Sequence, residues 1–291
     1  MTIPSTNGPR PIKRPRRTRA DIERIKDLAV DLLRREQPMT IRQLYYRLVS
    51  VGAIAKTEAE YKSTVVRLLG EMRREGDIPF HWIADNTRWM RKPRTHSGLD
   101  QALRQTAATY RRSVWDNQDA YVEIWLEKDA LAGVLWEVTD PWDVPLMVTR
   151  GFASLSFLHQ AAEAIGAQDK PTFLYYFGDH DPSGLAITVQ VEQDIRGFAP
   201  DADLTVARIA VTPEQIEAMN LPTRPTKSTD SRSKGFIGGS VEVDAVPPTT
   251  LRQLVEACIT QHIDPDIHER LLTTEKAERK TLMAIAERWL T

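Results

Sequence analysis

A chain of 291 residues, 41% hydrophobic and 27% charged, is long enough for two domains of ordinary size and too apolar to be a disordered polymer. No apolar run reaches the roughly 18 residues of a membrane span, residues 1–20 hold no apolar signal-peptide core, and the single cysteine, Cys258, excludes internal disulfides and zinc sites built on several thiolates. The formal net charge of −1 hides a division: up to Arg112 there are 24 Lys+Arg against 12 Asp+Glu, and after it 15 against 28.

A front of +12 suits a polyanion, and a back of −13 keeps its carboxylates for another purpose; a solvated charge bias serving solubility is the plainer alternative. Residues 1–20 hold six basic and no acidic side chains, Arg14, Arg16 and Arg17 among them, so this stretch reads as a mobile basic arm that tracks phosphates. From Asp21, the residues Ile22, Ile25, Leu28, Ala29, Leu32 and Leu33 recur at helical spacing and stop before Pro38. Capping boxes starting at Thr40 and Thr57 open two further helices that end near Gly52 and Gly76, and 78–84 reads as a strand. This is the rhythm of a winged helix-turn-helix over 21–115, with Lys62, Arg67, Arg73 and Arg74 on the groove-seeking third helix. A three-helix scaffold without nucleic acid is the competing reading. A basic connector over 85–112, carrying Arg91 and Lys92, leads to a helix from about Gly98. Trp82 and Trp89 flank its first part, either to stack on bases or to pack at a junction.

After Trp115 the pattern becomes α/β: strands over 120–126, 145–148, 172–177 and 204–210 alternate with helices over 129–138, 154–165 and 183–195. A long polar loop over 222–240, a short alternating stretch over 241–246 and helices over 249–262 and 275–290 complete the chain. The alternation predicts a mostly parallel sheet whose functional crevice lies beyond the carboxyl ends of its strands.

Glu127 closes the first of these strands, and Asp179 and Asp181 follow the third. In extended chain an Asp-x-Asp step places both carboxylates on one face and turns His180 away, an arrangement suited to a hard cation such as Mg²⁺. The plain alternative makes Asp179 a turn cap and Asp181 a solvated turn residue before Pro182. In the front half, Arg42 and Tyr46 are i,i+4 neighbours on one helix face. The guanidinium suits a phosphate, and the phenol, with a reference pKa of about 10, attacks once a cation or base favours its phenolate. A buried packing aromatic is the alternative for Tyr46, and packing or orientation is the reading for Tyr45.

The stretches Ile124-Trp125-Leu126-Glu127-Lys128 and Gly178-Asp179-His180-Asp181-Pro182-Ser183-Gly184 resemble the two acidic motifs of the Toprim domain. The second has the Asp-x-Asp-Pro-x-Gly form of the topoisomerase VI A subunit and its meiotic double-strand-break relatives. Thr40-Ile41-Arg42-Gln43-Leu44-Tyr45-Tyr46 resembles the helix that carries the cleaving tyrosine in their winged-helix domain, and 149–152 and 241–245 are similar to further family stretches. The resemblance covers 21–78 and 120–259. It implies an α/β fold with a winged-helix N-terminal domain and a Rossmann-like Toprim domain over 116–291. It further implies Tyr46 as nucleophile, Arg42 as its phosphate companion, and Glu127, Asp179 and Asp181 as Mg²⁺ ligands, with Glu242 and Asp244 as additional acidic candidates.

The implied activity is type IIB-like cleavage of double-stranded DNA through a 5′-phosphotyrosyl link, by a homodimer in which the tyrosine of one subunit works against the metal site of the other. The compact form is similar to versions carried by phages and mobile elements, and it has no Gly-rich nucleotide signature, which leaves a separate GHKL-type ATPase subunit as a further partner. The expected location is the cytoplasm and nucleoid of a prokaryotic or phage-infected cell. Two other functions use the same residues: a Toprim nuclease that hydrolyses DNA with metal-activated water and leaves Tyr46 idle, and a non-catalytic winged-helix DNA-binding protein.

Overall fold

The computed structural model describes residues 17–84, 92–225, 236 and 238–288. Its front is helical: α1 (Arg19–Glu36) and α2 (Ile41–Ser50) are followed by α3 (Glu58–Glu60), which runs through a π-helical segment (Tyr61–Val66) into α4 (Arg67–Glu75). Thr18 and Thr40 each form a complete capping box, and the Thr57 side chain accepts from the Glu60 amide, so each helical start has its first free N–H groups satisfied. Gly76, at φ 85°, ends α4 in the left-handed region that a side chain would strain. Ile25, Ala29, Leu32 and Leu33 of α1 join Leu44, Leu48, Val65, Leu68, Leu69 and Met72 in one core, as the helical spacing requires.

Two sequence expectations fail here. The stretch up to residue 20 is not an arm throughout: Thr18 caps α1, and Arg17 donates to Glu60 at 2.7 Å and to Thr64 at 2.9 Å, which ties it to the third helical segment. Arg14 and Arg16 lie outside the described residues. The stretch 78–84 is not a strand but a 3₁₀ turn (Phe80–Trp82) with a single parallel bridge from Ile83 to Met39. Pro79, which has no amide to donate, precedes the turn. Trp82 is partly buried against the core, which favours packing over base stacking.

The rear holds β1 (Tyr121–Leu126), β2 (Leu146–Val148), β3 (Thr172–Phe177) and β4 (Leu204–Ala210), all parallel, in the order β2-β1-β3-β4. Alternation along the strands builds two layers. Val122, Ile124, Leu126, Tyr175 and Phe177 face α6 (Ala132–Thr139) and α10 (Pro248–Thr260), in a core continuous with that of the front helices. Trp125, Leu174 and Tyr176 face α7 (Leu155–Gly166) and α8 (Pro182–Phe198). A short α9 (Pro213–Ala218) follows β4, and the expected alternating stretch at 241–246 is one antiparallel bridge from Val241 to His180 and a 3₁₀ turn (Val243–Ala245).

The connector helix α5 (Leu99–Thr109) packs on α11 (Pro265–Arg288), where the Tyr110 hydroxyl donates to Glu278 at 2.7 Å. α11 begins well before residue 275 because the Asp264 carboxylate accepts from the amides of Asp266 and Ile267. Arg252 of α10 donates to the carbonyls of Glu36, Gln37 and Pro38 and so fixes the start of α2 near the rear unit. As a result α2 lies against the Val243–Ala245 turn. No helix among the described residues is long and apolar enough to cross a membrane.

Candidate active site

Glu127 stands at the end of β1 and uses Oε2 to accept from the Asp179 amide at 2.9 Å, which joins the ends of the two central strands. Two glycines make this approach possible. A Cβ on Gly178 would lie 2.6 Å from Glu127 Oε2, and one on Gly184 would collide with the Asp179 carbonyl. Asp181, in extended backbone (φ −150°, ψ 170°), caps α8 by accepting from the Gly184 amide at 2.8 Å, with Pro182 in the first turn. Asp179 is buried and accepts from the Val243 amide at 2.9 Å. His180 is turned into other company: its backbone pairs with Val241 and its ring lies 5.2 Å from Phe236.

Burial, reinforced by the Asp179 charge, pushes the Glu127 carboxyl up to about 7. Asp179 is also raised by burial, against the pull of Lys128. Below them lies Arg208 of β4, which no sequence argument selected. It donates to the carbonyls of Gly178 (2.9 Å), Asp179 and Gly184 (3.1 Å) and to the Thr188 hydroxyl (2.8 Å), which fixes the shape of the acidic loop. An arginine inside the otherwise apolar run 204–210 was the available signal.

A second acidic group adjoins the first. Lys128, next to Glu127 in sequence, places its ammonium 2.7 Å from Asp244, 3.1 Å from Asp179 and 3.3 Å from Glu242. Glu242 also meets Arg42, through Nε and Nη2 at 3.3 Å each, and Arg224 at 2.6 Å. Burial alone would raise Glu242, but Lys128, Arg42 and Arg224 outweigh it and hold the carboxyl down at about 2. Burial would likewise lower Lys128, and its three carboxylate neighbours reverse that and raise it.

Tyr46 lies at this junction, 3% exposed, with its ring 5.8 Å from the Arg42 guanidinium and 5.5 Å from the Lys56 ammonium. Burial raises the phenol, Glu242 raises it further, and Arg42 and Lys128 oppose both. Tyr45 donates to the Thr57 carbonyl at 3.3 Å and packs on Tyr61, in keeping with an orienting role. The structure therefore brings Tyr46, Arg42, Glu242 and Asp244 together within one chain, with Asp179 joined to them through Lys128.

Of the remaining sequence candidates, Lys62 shares Glu58 with Arg42, and the others make separate contacts. Lys62 pairs with Glu58 and Arg67 with Glu71 on the exposed face of the third helical segment, Arg73 covers the Phe80 ring at 4.5 Å, and Arg74 and Lys92 are exposed. Arg91 lies outside the described residues. Lys128, Arg208, Arg224 and Lys56 are the site residues that sequence reasoning missed.

Among the described residues, no group of three or more His, Cys, Asp or Glu side chains is gathered tightly enough to hold a metal ion as it stands. The chemistry of the donors nevertheless fits one. Glu127, Asp179 and Asp181 are hard oxygen donors at adjoining strand ends, and Glu127 and Asp179 are both raised chiefly by burial. No family model and no curated protein matches the chain.

Proposed function

We propose that the chain cleaves double-stranded DNA by transesterification through Tyr46, with Mg²⁺ held by Glu127, Asp179 and Asp181. The reading keeps the winged-helix and Toprim expectations and the topoisomerase VI A-like family. One observation carries it: Arg42 and Tyr46, one turn apart on α2, meet the carboxyl end of the parallel sheet through Glu242 and Lys128.

In this mechanism Arg42 orients the scissile phosphate and the Tyr46 oxygen attacks phosphorus. A P–O bond forms to tyrosine as the bond to the sugar oxygen breaks. The phenol proton leaves to solvent, and the departing sugar oxygen takes one up. When bound, Mg²⁺ supplies charge stabilisation to the phosphate and the leaving oxygen. Burial keeps Tyr46 neutral in the free chain, so DNA must bring the cationic surroundings into play before the phenol loses its proton. The same reading includes a homodimer, a separate ATPase subunit and a nucleoid location as expectations. It also keeps the expectation that the tyrosine of one subunit works against the metal site of the other.

The test is covalent trapping. The protein is incubated with supercoiled DNA and Mg²⁺ and then denatured, and DNA ends carrying protein are expected from wild type and absent from Tyr46→Phe. The burial of Tyr46 favours one other reading, hydrolysis by metal-activated water with the tyrosine idle. Normal cutting by Tyr46→Phe without an adduct would select that nuclease.

A further inference from the structure

Glu242 receives more positive charge than one carboxylate needs. Arg42 reaches it from α2, Lys128 from the end of β1 and Arg224 from the segment after α9, all within 3.3 Å, while only 7% of the Glu242 side chain is exposed. Two of these cations have other anions at hand, Glu58 for Arg42 and Asp244 with Asp179 for Lys128. The adjoining turn does not depend on the Glu242 side chain: Val243 donates its amide to Asp179, and Ala245 donates to the Glu242 backbone carbonyl. A fourth cation, Lys56, donates to the carbonyls of Pro222 at 2.6 Å and Thr223 at 2.8 Å, which pins the segment that carries Arg224 beside the Tyr46 ring. A carboxylate and a phosphodiester present the same pair of anionic oxygens to a guanidinium.

We propose that Arg42, Arg224 and Lys56 form the seat of a DNA phosphodiester over Tyr46, and that Glu242 fills this seat in the free chain as a built-in phosphate mimic which DNA displaces. The proposal rests on the DNA-cleaving reading and adds to it a phosphate subsite and an internal competitor. A second metal ligand is the poorer role for Glu242, since a cation arriving there would meet three positive charges already in place. Displacement also explains how a nearly sealed tyrosine becomes reachable: breaking the Glu242 pairs frees Arg42 and Arg224 to turn toward the substrate.

The experiment measures binding without chemistry. The full chain is titrated by fluorescence anisotropy against a labelled duplex two helical turns long, in EDTA and at fixed ionic strength, so that neither cleavage nor Mg²⁺ contributes. Glu242→Gln removes the competitor and is expected to bind roughly tenfold more tightly, whereas Arg224→Gln and Lys56→Gln each bind several-fold to roughly tenfold more weakly. Circular dichroism accompanies each variant to establish that it is folded. Equal or weaker binding by folded Glu242→Gln overturns the mimic. If that variant does not fold, unchanged affinity in both Arg224→Gln and Lys56→Gln overturns the seat instead. Wild type that binds no duplex at all would overturn the DNA-cleaving reading itself, a different result from wild type that binds while the variants do not separate.

Discussion

Two acidic groups adjoin at the end of the parallel sheet and are held in opposite electrostatic states. Glu127 has burial and the Asp179 charge around it and is pushed up to about 7, whereas Glu242 has Lys128, Arg42 and Arg224 and is held down at about 2. Both are carboxylates on short connections beyond β-strands or bridges, and both are largely shielded from water. The difference is one of degree: three cations pair directly with Glu242, whereas the charge of Lys128 does not offset burial and the Asp179 charge at Glu127. Acid density alone therefore does not set how a buried carboxylate titrates; the cations it meets directly do. Lys128 marks the divide, since it pairs at 2.7–3.3 Å with Asp244, Asp179 and Glu242 but acts on Glu127 only through its charge, which burial and Asp179 outweigh.

The strongest blow to this contrast is Lys128→Met, which keeps length and apolar stem but removes the ammonium. Glu242, Asp244 and Asp179 would then share fewer cations in a buried setting. Breaking a buried ion pair from one side costs about 3–5 kcal/mol, and a loss of that order is expected in the unfolding free energy from denaturant titration at neutral pH. A loss below about 1 kcal/mol would mean that Arg42 and Arg224 suffice, and the two acidic groups would no longer differ through Lys128.

The two groups should also give stability opposite dependences on pH. A Glu127 carboxyl raised from 4.5 to about 7 lets the folded chain bind more protons than the unfolded chain between those values. Its effect is absent below pH 4.5, and stability falls as pH rises through 4.5 to 7, by at most about 3 kcal/mol and by less because the side chain is partly exposed. For Glu242, lowered from 4.5 to about 2, the sign reverses: its contribution is present above pH 4.5 and is lost as pH falls toward 2. Urea unfolding across pH should show Glu127→Gln flattening the upper window and Glu242→Gln flattening the lower. Glu123 is also pushed up to about 7, by burial inside β1, so the difference between wild type and Glu127→Gln isolates the site. An unchanged upper window in Glu127→Gln would remove the asymmetry.

Legibility in the sequence divides along similar lines. The runs 172–177 and 204–210 are dense in β-branched, aromatic and leucine residues, and both coincide with the observed strands. The Thr40 box and the i,i+4 step from Arg42 to Tyr46 are local properties of one helix, and they place the two side chains together. α9 was missed although Thr212 and Gln215 form a capping box around Pro213, because the segment is too short to show a period. Lys128 and Arg224 were missed for another reason. Their partners lie 51 to 116 positions away or come from separate segments, and only the chain crossing at Val241 brings Glu242 and Asp244 back to the ends of β1 and β3. Arg17 shows the converse error, since a basic residue in a basic run proved to be half of an ion pair with a buried glutamate.

The smallest expected effect is the one that assigns Mg²⁺ to one group over the other. A cation that binds only the folded chain stabilises it by RT ln(1 + [L]/Kd), about 1.4 kcal/mol when the ion is tenfold above its Kd. Thermal unfolding of wild type with MgCl₂, against NaCl at matched ionic strength, should therefore rise by a few degrees at most. The comparison is made within each variant, with and without Mg²⁺, because Glu127→Gln also relieves repulsion from Asp179 and so stabilises the metal-free chain. The Mg²⁺ increment should vanish in Glu127→Gln and in Asp181→Asn, where the asparagine still caps α8 and the fold is preserved. It should persist in Glu242→Gln, since the cations that serve Glu242 leave no place there for another. Loss of the increment in Glu242→Gln with retention in Glu127→Gln would exchange the roles of the two groups, making the compensated acids the metal ligands and Lys128 the ion that Mg²⁺ must displace.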